Sequence, residues 1–438
     1  MRILIIANEV WNDKIHGNNV LTNWFSGFPA EIYMISCSPG QMINNVCKNY
    51  FQITDSMMLK SIFSKKKAGI TIKYKDYPTE YNVTEKYAPM NKRLYTFLKK
   101  ITTEFLRNIR EFIWMHGKYD EKKLNEFLDE ANPDIIFTGR YASAKLLRLE
   151  KYVKDYTKKP IIAYTGDNEC AIGEKFGVNL FKRYRINKVR KMMDKQIPEY
   201  SLYYTHSSEQ KKEYNTKYGI PTKVLQKCGD FREELIHKDS HKPIKIIYAG
   251  KLYCERWKTL AEIGKALKVI NREKVLMTLN IYTQDKISQK QREVLNDGRN
   301  IFINSAVSPD ELKQLYKDYD IVLHVESFNN YYRTITRYSF STKIIDCLAS
   351  GCAVMSICSS EQAGFKYLKE QNAAITIDNI SNIIKELNNI IYNPELIYKY
   401  ARQAYLCGVK YHTKEVVQQE LVNDFNSIIQ NKKIITKE

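Results

Sequence analysis

No stretch of the 438 residues approaches the roughly 20 consecutive apolar residues that a membrane-spanning helix needs. The opening, Met1-Arg2-Ile3-Leu4-Ile5-Ile6-Ala7-Asn8-Glu9, has the basic-then-apolar order of a signal peptide. Its apolar run is too short and Glu9 interrupts it, so a buried first strand is expected instead. Also missing is any Cys-x-x-Cys pair among the nine cysteines. An odd count without that motif points to reduced thiols, a cytoplasmic setting and no zinc. Neither Gly-x-Gly-x-x-Gly nor Gly-x4-Gly-Lys occurs, which removes the dinucleotide fingerprint and the P-loop.

What is present is enough chain for two domains, because a single hydrophobic core stops growing near roughly 250–300 residues. With 44% hydrophobic and 27% charged residues, the chain has the composition of a folded protein rather than a disordered one. The formal net charge is +20. Such a surface attracts polyanions: nucleic acid, acidic lipid headgroups or a phosphorylated substrate. Solvated lysines without any partner would give the same number.

The chain opens as strand, polar loop, helix. Strand 1–9 is followed by a loop containing Gly17, Asn18 and Asn19, then by apolar periodicity over 20–25 and a second strand over 31–36. This is the start of a doubly wound α/β unit, in which sites gather at the carboxyl ends of strands. Residues 44–89 give no clear pattern. From 90 to 117 apolar residues, among them Phe97, Ile101, Phe105, Ile109 and Phe112, recur at three- and four-residue steps between lysines and arginines. That pattern fits either a core helix with a solvated face or a helix lying on an anionic membrane. Short apolar runs at 134–138 and 160–164 read as parallel strands. The second ends in Thr165-Gly166-Asp167-Asn168, a polar turn where an α/β domain places chemistry. A basic cluster over 182–195 follows, and 203–208 reads as the last strand of the first domain. The linker is expected within 233–243.

The second domain restarts with a strand over 244–249 that enters Gly250-Lys251-Leu252-Tyr253-Cys254-Glu255-Arg256-Trp257-Lys258. Strand, glycine, then cations before a helix is a phosphate-binding arrangement: glycine allows close backbone approach, and the cations neutralise a diphosphate. Further strands are expected at 279–282, 301–303 and 319–326. The segment around which the chain is organised is Phe340-Ser341-Thr342-Lys343-Ile344-Ile345-Asp346-Cys347-Leu348-Ala349-Ser350-Gly351-Cys352-Ala353. Ser341 or Thr342 is expected as the N-cap of a short helix that Gly351 ends before a buried strand over 353–357. Lys343 and Asp346 share the face opposite the isoleucines. A helix start with hydroxyls and a lysine suits a phosphate, and Asp346 is placed to accept from a ribose, although an ordinary capped amphipathic helix has the same pattern. The rest reads as helix over 381–405 and a terminal amphipathic helix over 413–430.

The 341–354 segment resembles the donor-binding segment of GT-B glycosyltransferases, the bacterial family 4 (group 1) enzymes. There a hydroxyl–lysine pair, an acidic residue and a small-residue–glycine turn precede a buried strand. Asp346 takes the place of the second glutamate of that family's Glu-x7-Glu motif. Tyr338 stands where the first would be, and Glu326 is the nearest upstream carboxylate. Residues 250–258 resemble the family's Gly-Arg-Leu-x3-Lys element, with Lys251 and Arg256 in the cationic positions and Lys258 beside them. The loop around Val307 is similar to the family's base-recognising loop. The resemblance spans about 244–372; over the first domain it is one of architecture alone.

The resemblance implies two doubly wound Rossmann-like domains facing across a cleft. One is an acceptor-side domain over 1–237 completed by a returning helix over 413–430, and the other a donor domain over 238–412. The expected activity is transfer of a sugar from a nucleotide-diphosphate donor to a saccharide or lipid-linked acceptor in surface polysaccharide assembly, with retention and without a metal or other cofactor. Donor contacts are expected from Gly250, Lys251, Arg256, Lys258, Val307, Ser341, Thr342, Lys343 and Asp346. Catalytic roles fall to Asp167 and Glu326, and Gly17, Asn18, Asn19 and Asn168 are candidates for the acceptor or phosphate loop. Paired basic amphipathic stretches suggest peripheral association with the inner membrane face. A GT-B epimerase or phosphorylase, and a basic nucleic-acid-binding protein, remain alternatives; the missing nucleic-acid motifs speak against the last.

Overall fold

The structure is a computed structural model that describes residues 1–14, 20–73, 103–139, 143–165, 180–231, 235 and 239–435. It divides into two units, Met1–Leu225 with Gln418–Glu438, and Gln226–Val417. The first division falls about a dozen residues before the 237/238 boundary read from the sequence, and residues 232–234 and 236–238 of the expected linker lie outside the described residues.

In the first unit the strands are β1 (Arg2–Ala7), β2 (Glu31–Ser36), β3 (Asn49–Gln52), β4 (Ile70–Lys73), β5 (Ile135–Gly139), β6 (Ile161–Tyr164), β7 (Leu202–Thr205) and β8 (Thr222–Val224). They form one sheet in the order β4-β3-β2-β1-β5-β6-β7-β8. Only β4 runs antiparallel, on β3 at the edge. Helices cover both faces of such a sheet, so its central strands must be apolar on both sides. Ile3, Leu4, Ile5 and Ile6 of β1 are all fully buried.

Two features of this unit differ from the sequence expectation. The strand read over 203–208 is β7, but it is not the last. Ser207 accepts a hydrogen bond from the Gln210 amide and caps the helix Ser208–Tyr218, after which β8 completes the sheet. That helix buries only Gln210, Tyr214 and Tyr218, a polar stripe that apolar periodicity does not reveal. The unassigned residues 44–73 contain β3, the Thr54-capped helix Asp55–Phe63 and β4.

The terminal helix, Lys414–Ile435, belongs from Gln418 onward to the first unit. Gln418 Nε2 donates to the Trp24 and Ser26 carbonyls at 2.7 and 3.0 Å. The Tyr204 hydroxyl donates to Asp424 Oδ2 at 2.7 Å, and Lys223 pairs with the same carboxylate. Phe425 is fully buried, with its ring 5.8 Å from Phe28 and 5.9 Å from Phe137. The end of the chain thus completes the aromatic core laid down by its first 140 residues.

In the second unit β9 (Ile244–Ala249), β10 (Met277–Thr283), β11 (Ile301–Ser305), β12 (Ile321–Val325), β13 (Ala353–Ile357) and β14 (Ile375–Ile377) form a wholly parallel sheet in the order β11-β10-β9-β12-β13-β14. Counted within the unit this is 3-2-1-4-5-6, the doubly wound order whose direction reverses between its first and fourth strands. The helix expected over 381–405 is two helices, Ile383–Tyr392 and Glu395–Tyr411, because Asn393-Pro394 cannot continue the first.

Phe425→Ala should cost about 3–5 kcal/mol, as for other fully buried phenylalanines. Hydrogen exchange should then accelerate in β5 to β7 while β9 to β13 keep their protection; equal acceleration in both units would show that the helix does not belong to the first.

Candidate active site

The strand order of the second unit reverses between β9 and β12, and the charged residues of the site are carried by the two chain segments leaving these strands. Register between β9 and β12 is confined to Ile246 with Ile321 and Ile247 with Val322. Beyond that point the strands are no longer paired, and their carboxyl ends are where α/β sheets bind ligands. From β9 the chain runs through Gly250 into the helix Arg256–Ile270; β12 leads directly into Glu326.

Arg256 and Glu326 form a buried, two-pronged ion pair. Nε donates to Oε2 at 2.8 Å and Nη2 to Oε1 at 2.6 Å, while both side chains are less than a tenth exposed. The Thr259 hydroxyl fixes the same corner by donating to the Glu326 carbonyl at 2.9 Å. Burial works against the Arg256 charge, but the Glu326 carboxylate outweighs it and the guanidinium pKa moves upward. The Tyr253 ring lies 4.5 Å from the guanidinium carbon. Glu326, expected as a catalytic carboxylate, therefore has both oxygens engaged in holding Arg256.

Lys343 is the second cation. It is the first residue of the helix Lys343–Leu348, and its ammonium lies over Gly250: a β-carbon built on that glycine would sit 1.6 Å from Nζ. The glycine is required here for space. Among the described residues no carboxylate pairs with Lys343; the Tyr248 ring, 5.2 Å from Nζ, is its aromatic neighbour. Burial, followed by the nearby Arg256 charge, lowers its pKa to about 8, with Glu326 acting in the opposite sense. An ammonium held short of counter-charge is poised to gain from an incoming anion.

Three further residues belong to this corner and were not singled out from the sequence. His324 in β12 is buried, with Nδ1 3.0 Å from the Ser356 hydroxyl and Nε2 4.0 Å from Glu326. Burial, then Arg256 and Lys343, depress its pKa to about 3, so it stays neutral. The Tyr248 hydroxyl donates to the Lys251 carbonyl at 2.7 Å, and Asp285 accepts from the Leu252 amide at 2.6 Å, together shaping the turn after Gly250. A histidine and a tyrosine inside apolar strand runs were the available signal, since buried polar groups need partners.

The other expected donor residues are placed as follows. Lys251 is exposed beside Gly250. Lys258 is exposed and pairs with Glu255 at 2.6 Å. Asp346 pairs with Lys227 at 2.8 Å, so its carboxylate already has a cation. Val307 is half-buried in the turn between β11 and the helix Pro309–Leu315, which Ser308 and Glu311 cap reciprocally. Thr342 precedes its helix in a helical conformation and makes no side-chain cap, contrary to the N-cap expectation; the Ile344 amide donates instead to the Ser341 carbonyl. Tyr338 is buried with the Arg337 guanidinium against its ring. Gly17, Asn18, Asn19, Asp167 and Asn168 lie outside the described residues.

Two cations at the switch point of a 3-2-1-4-5-6 sheet define a Rossmann-like unit equipped for an anionic ligand. Comparison with known proteins narrows the class. Residues 232–423 match the family model described as "Glycosyl transferase-like". The whole chain has the fold of GT-B glycosyltransferases. It is similar to HepE of Anabaena, solved in complex with UDP, at 11% identity and a TM-score of 0.59 over 98% of this chain and 100% of that one. Sucrose-phosphate synthase of Thermosynechococcus elongatus gives 10% identity and a TM-score of 0.59 over 98% and 100%. The α,α-trehalose 6-phosphate synthase of Burkholderia multivorans gives 11% and 0.58 over 99% and 98%. No curated protein matches by sequence.

Removing one partner of a buried ion pair leaves the other charge desolvated. Arg256→Ala should therefore lower stability by about 3–5 kcal/mol in urea unfolding, whereas Lys343→Ala, which orphans no carboxylate, should change it by less than about 1 kcal/mol. Equal losses in the two variants would contradict the pairing described.

Proposed function

We propose that this chain is a glycosyltransferase that takes a sugar from a uridine-diphosphate sugar and passes it to a saccharide or lipid-linked acceptor held by the first unit. The observation that carries the donor half is the juxtaposition of the Arg256–Glu326 pair with the Lys343 ammonium over Gly250. Cleavage of the donor's anomeric bond leaves a diphosphate, and fixed cations stabilise that charge as it develops. Arg256 has two nitrogens committed to Glu326, so the guanidinium is oriented before the ligand arrives. Lys343 contributes a charge that no carboxylate among the described residues pairs with, and the absence of a β-carbon at Gly250 gives the ammonium its position. HepE was solved with UDP and with UDP-glucose, which makes uridine the nucleotide to try first.

The finer parts of the proposal are a role for Asp346 at the ribose, the participation of Lys251, Lys258, Val307, Ser341 and Thr342 around the donor, and acceptor contacts from Asp167, Asn168 and Gly17 to Asn19. Retention of configuration, independence of a metal and a place in surface polysaccharide assembly rest on the family resemblance. Peripheral location at the cytoplasmic membrane face belongs to the same reading. Among the described residues no helix is long and apolar enough to cross a membrane.

Calorimetry with UDP tests the donor site. Lys343→Ala should weaken UDP binding about tenfold or more, since a charge-assisted hydrogen bond is worth roughly 1.5–3 kcal/mol. Gly250→Ala should weaken it similarly by displacing the ammonium, and the double variant should be no worse than either alone. Additive losses would mean that the glycine and the lysine act separately, and unchanged affinity in all three would remove the site.

The lowered Lys343 pKa also sets a pH dependence. The free protein loses this charge as pH rises through about 8, while a bound diphosphate holds the proton on. UDP affinity should therefore be level just below that pH and fall above it, and Lys343→Ala should abolish the fall. A wild-type affinity that stays flat up to pH 10 would show that the ammonium does not meet the ligand.

A further inference from the structure

The first unit carries an apolar surface where solvated helices should be polar. The helix Thr103–His116 sends Trp114 into the core, fully buried, with Ile113 packed beside it. Its opposite side presents Leu106, Ile109 and Phe112 to solvent, the last 57% exposed. This helix packs against both the helix Asp55–Phe63 and the helix Leu180–Gln196. The first ends in Phe63, 81% exposed, and the second begins with Leu180, 74% exposed, and carries Tyr184, 66% exposed. Neighbouring helices of one unit thus each leave large apolar side chains uncovered.

Exposed lysines and arginines lie close to them. Phe63 is followed by Ser64 and then by exposed Lys65, Lys66 and Lys67. Arg183 and Lys188 are exposed on the helix that starts at Leu180. The carboxylates whose side chains are described on these helices are already engaged. Asp55 pairs with Arg110 and accepts from the Trp114 indole, Glu111 accepts from the Ala144 amide, and Asp194 pairs with Lys217. Apolar side chains fringed by lysines, with no unengaged carboxylate on these helices among the described side chains, are what an anionic bilayer surface recognises. A protein partner would need directed hydrogen bonds or acidic residues aimed at particular lysines. A lipid leaflet needs neither.

We propose that this face, formed by the ends and sides of the three helices, docks the protein on a leaflet rich in acidic phospholipid, with Phe63, Ile109 and Phe112 entering the headgroup region and Lys65 to Lys67 at its phosphates. The proposal deepens the acceptor side of the function given above and rests on that reading only for its purpose, because none of its residues belongs to the donor site. Within the amphipathic stretch 90–117 the described part, 103–116, gives Trp114 to the core and leaves Ile109 and Phe112 exposed.

The test is co-sedimentation of the full chain with vesicles of phosphatidylcholine alone and of phosphatidylglycerol mixed with it, at low and high salt. The chain should partition onto the acidic vesicles, and the triple variant Phe63→Asp, Ile109→Asp, Phe112→Asp should lose about tenfold or more of its partitioning at either salt. Replacing Lys65, Lys66 and Lys67 by alanine should lose as much at low salt and little at high salt, where the Debye length shrinks to a few ångströms. The same change of charge at Lys274, Lys286 and Lys290 of the second unit should have little effect. Retention of the wild type in the supernatant with acidic vesicles at low salt overturns the proposal, as does wild-type partitioning by the aspartate variant. It is equally overturned if light scattering without lipid shows a dimer that the aspartate variant splits, since the face is then a contact between copies. UDP calorimetry on the aspartate variant keeps the two readings apart: intact nucleotide binding with lost partitioning supports both, and vesicle binding by a wild type that ignores UDP leaves docking standing while the donor reading falls.

Discussion

The ion pair between Arg256 and Glu326 is the constraint on which the candidate site depends. A guanidinium and a carboxylate this deeply buried survive only because each satisfies the other in two parallel hydrogen bonds of 2.8 and 2.6 Å. The pair also ties the helix start after β9 to the chain leaving β12, across the point where the sheet changes direction. Burial and then the Arg256 charge keep His324 neutral and lower the proton affinity of Lys343, on which Glu326 acts in the opposite sense. Arg256 is thereby neutralised as a net charge but fixed as a donor, and Lys343 is the cation left in need of an anion.

Space matters as much as charge. Lys343 can lie where it does because position 250 lacks a β-carbon, so a glycine at the end of β9 and a lysine 93 residues later form one feature. The Tyr248 hydroxyl and the Asp285 carboxylate hold the turn between them. A backbone and two side chains thus fix the turn beside Lys343 before any ligand contributes, and a charge held in place in advance needs no reorganisation to act.

The first unit is built on a different principle. Its sheet is larger, and beside a mainly aliphatic core cluster it packs an aromatic group of Trp24, Phe25, Phe28 and Phe137, completed by Phe425 from the other end of the chain. The described charged groups of this unit sit either in closed partnerships, as with Glu150 and its donors Thr138, Gln196 and Tyr200, or on the surface. Its unusual property is external: adjoining helices leave large apolar side chains exposed, with Lys65 to Lys67 following Phe63.

The sequence by itself determined the elements whose signal is local. Short apolar runs set β1, β2, β9 and β13, because backbone preference and burial act there over a few neighbouring residues. It also singled out Arg256, Lys343 and Gly250, through a strand–glycine–cation pattern and a family resemblance. Tertiary structure decided what each does. Glu326 faces Arg256 rather than a reacting atom, Asp346 meets Lys227, and His324 becomes a neutral member of the corner. None of these partners lies within a turn or two of its residue in sequence. The sheet order brings together chain segments some 70 to 120 residues apart, and a charge's role follows from what it meets there. The same holds for Ile109 and Phe112, whose helical spacing is identical whether the stripe is buried or bare; only the packing of the neighbouring helices shows that it is bare.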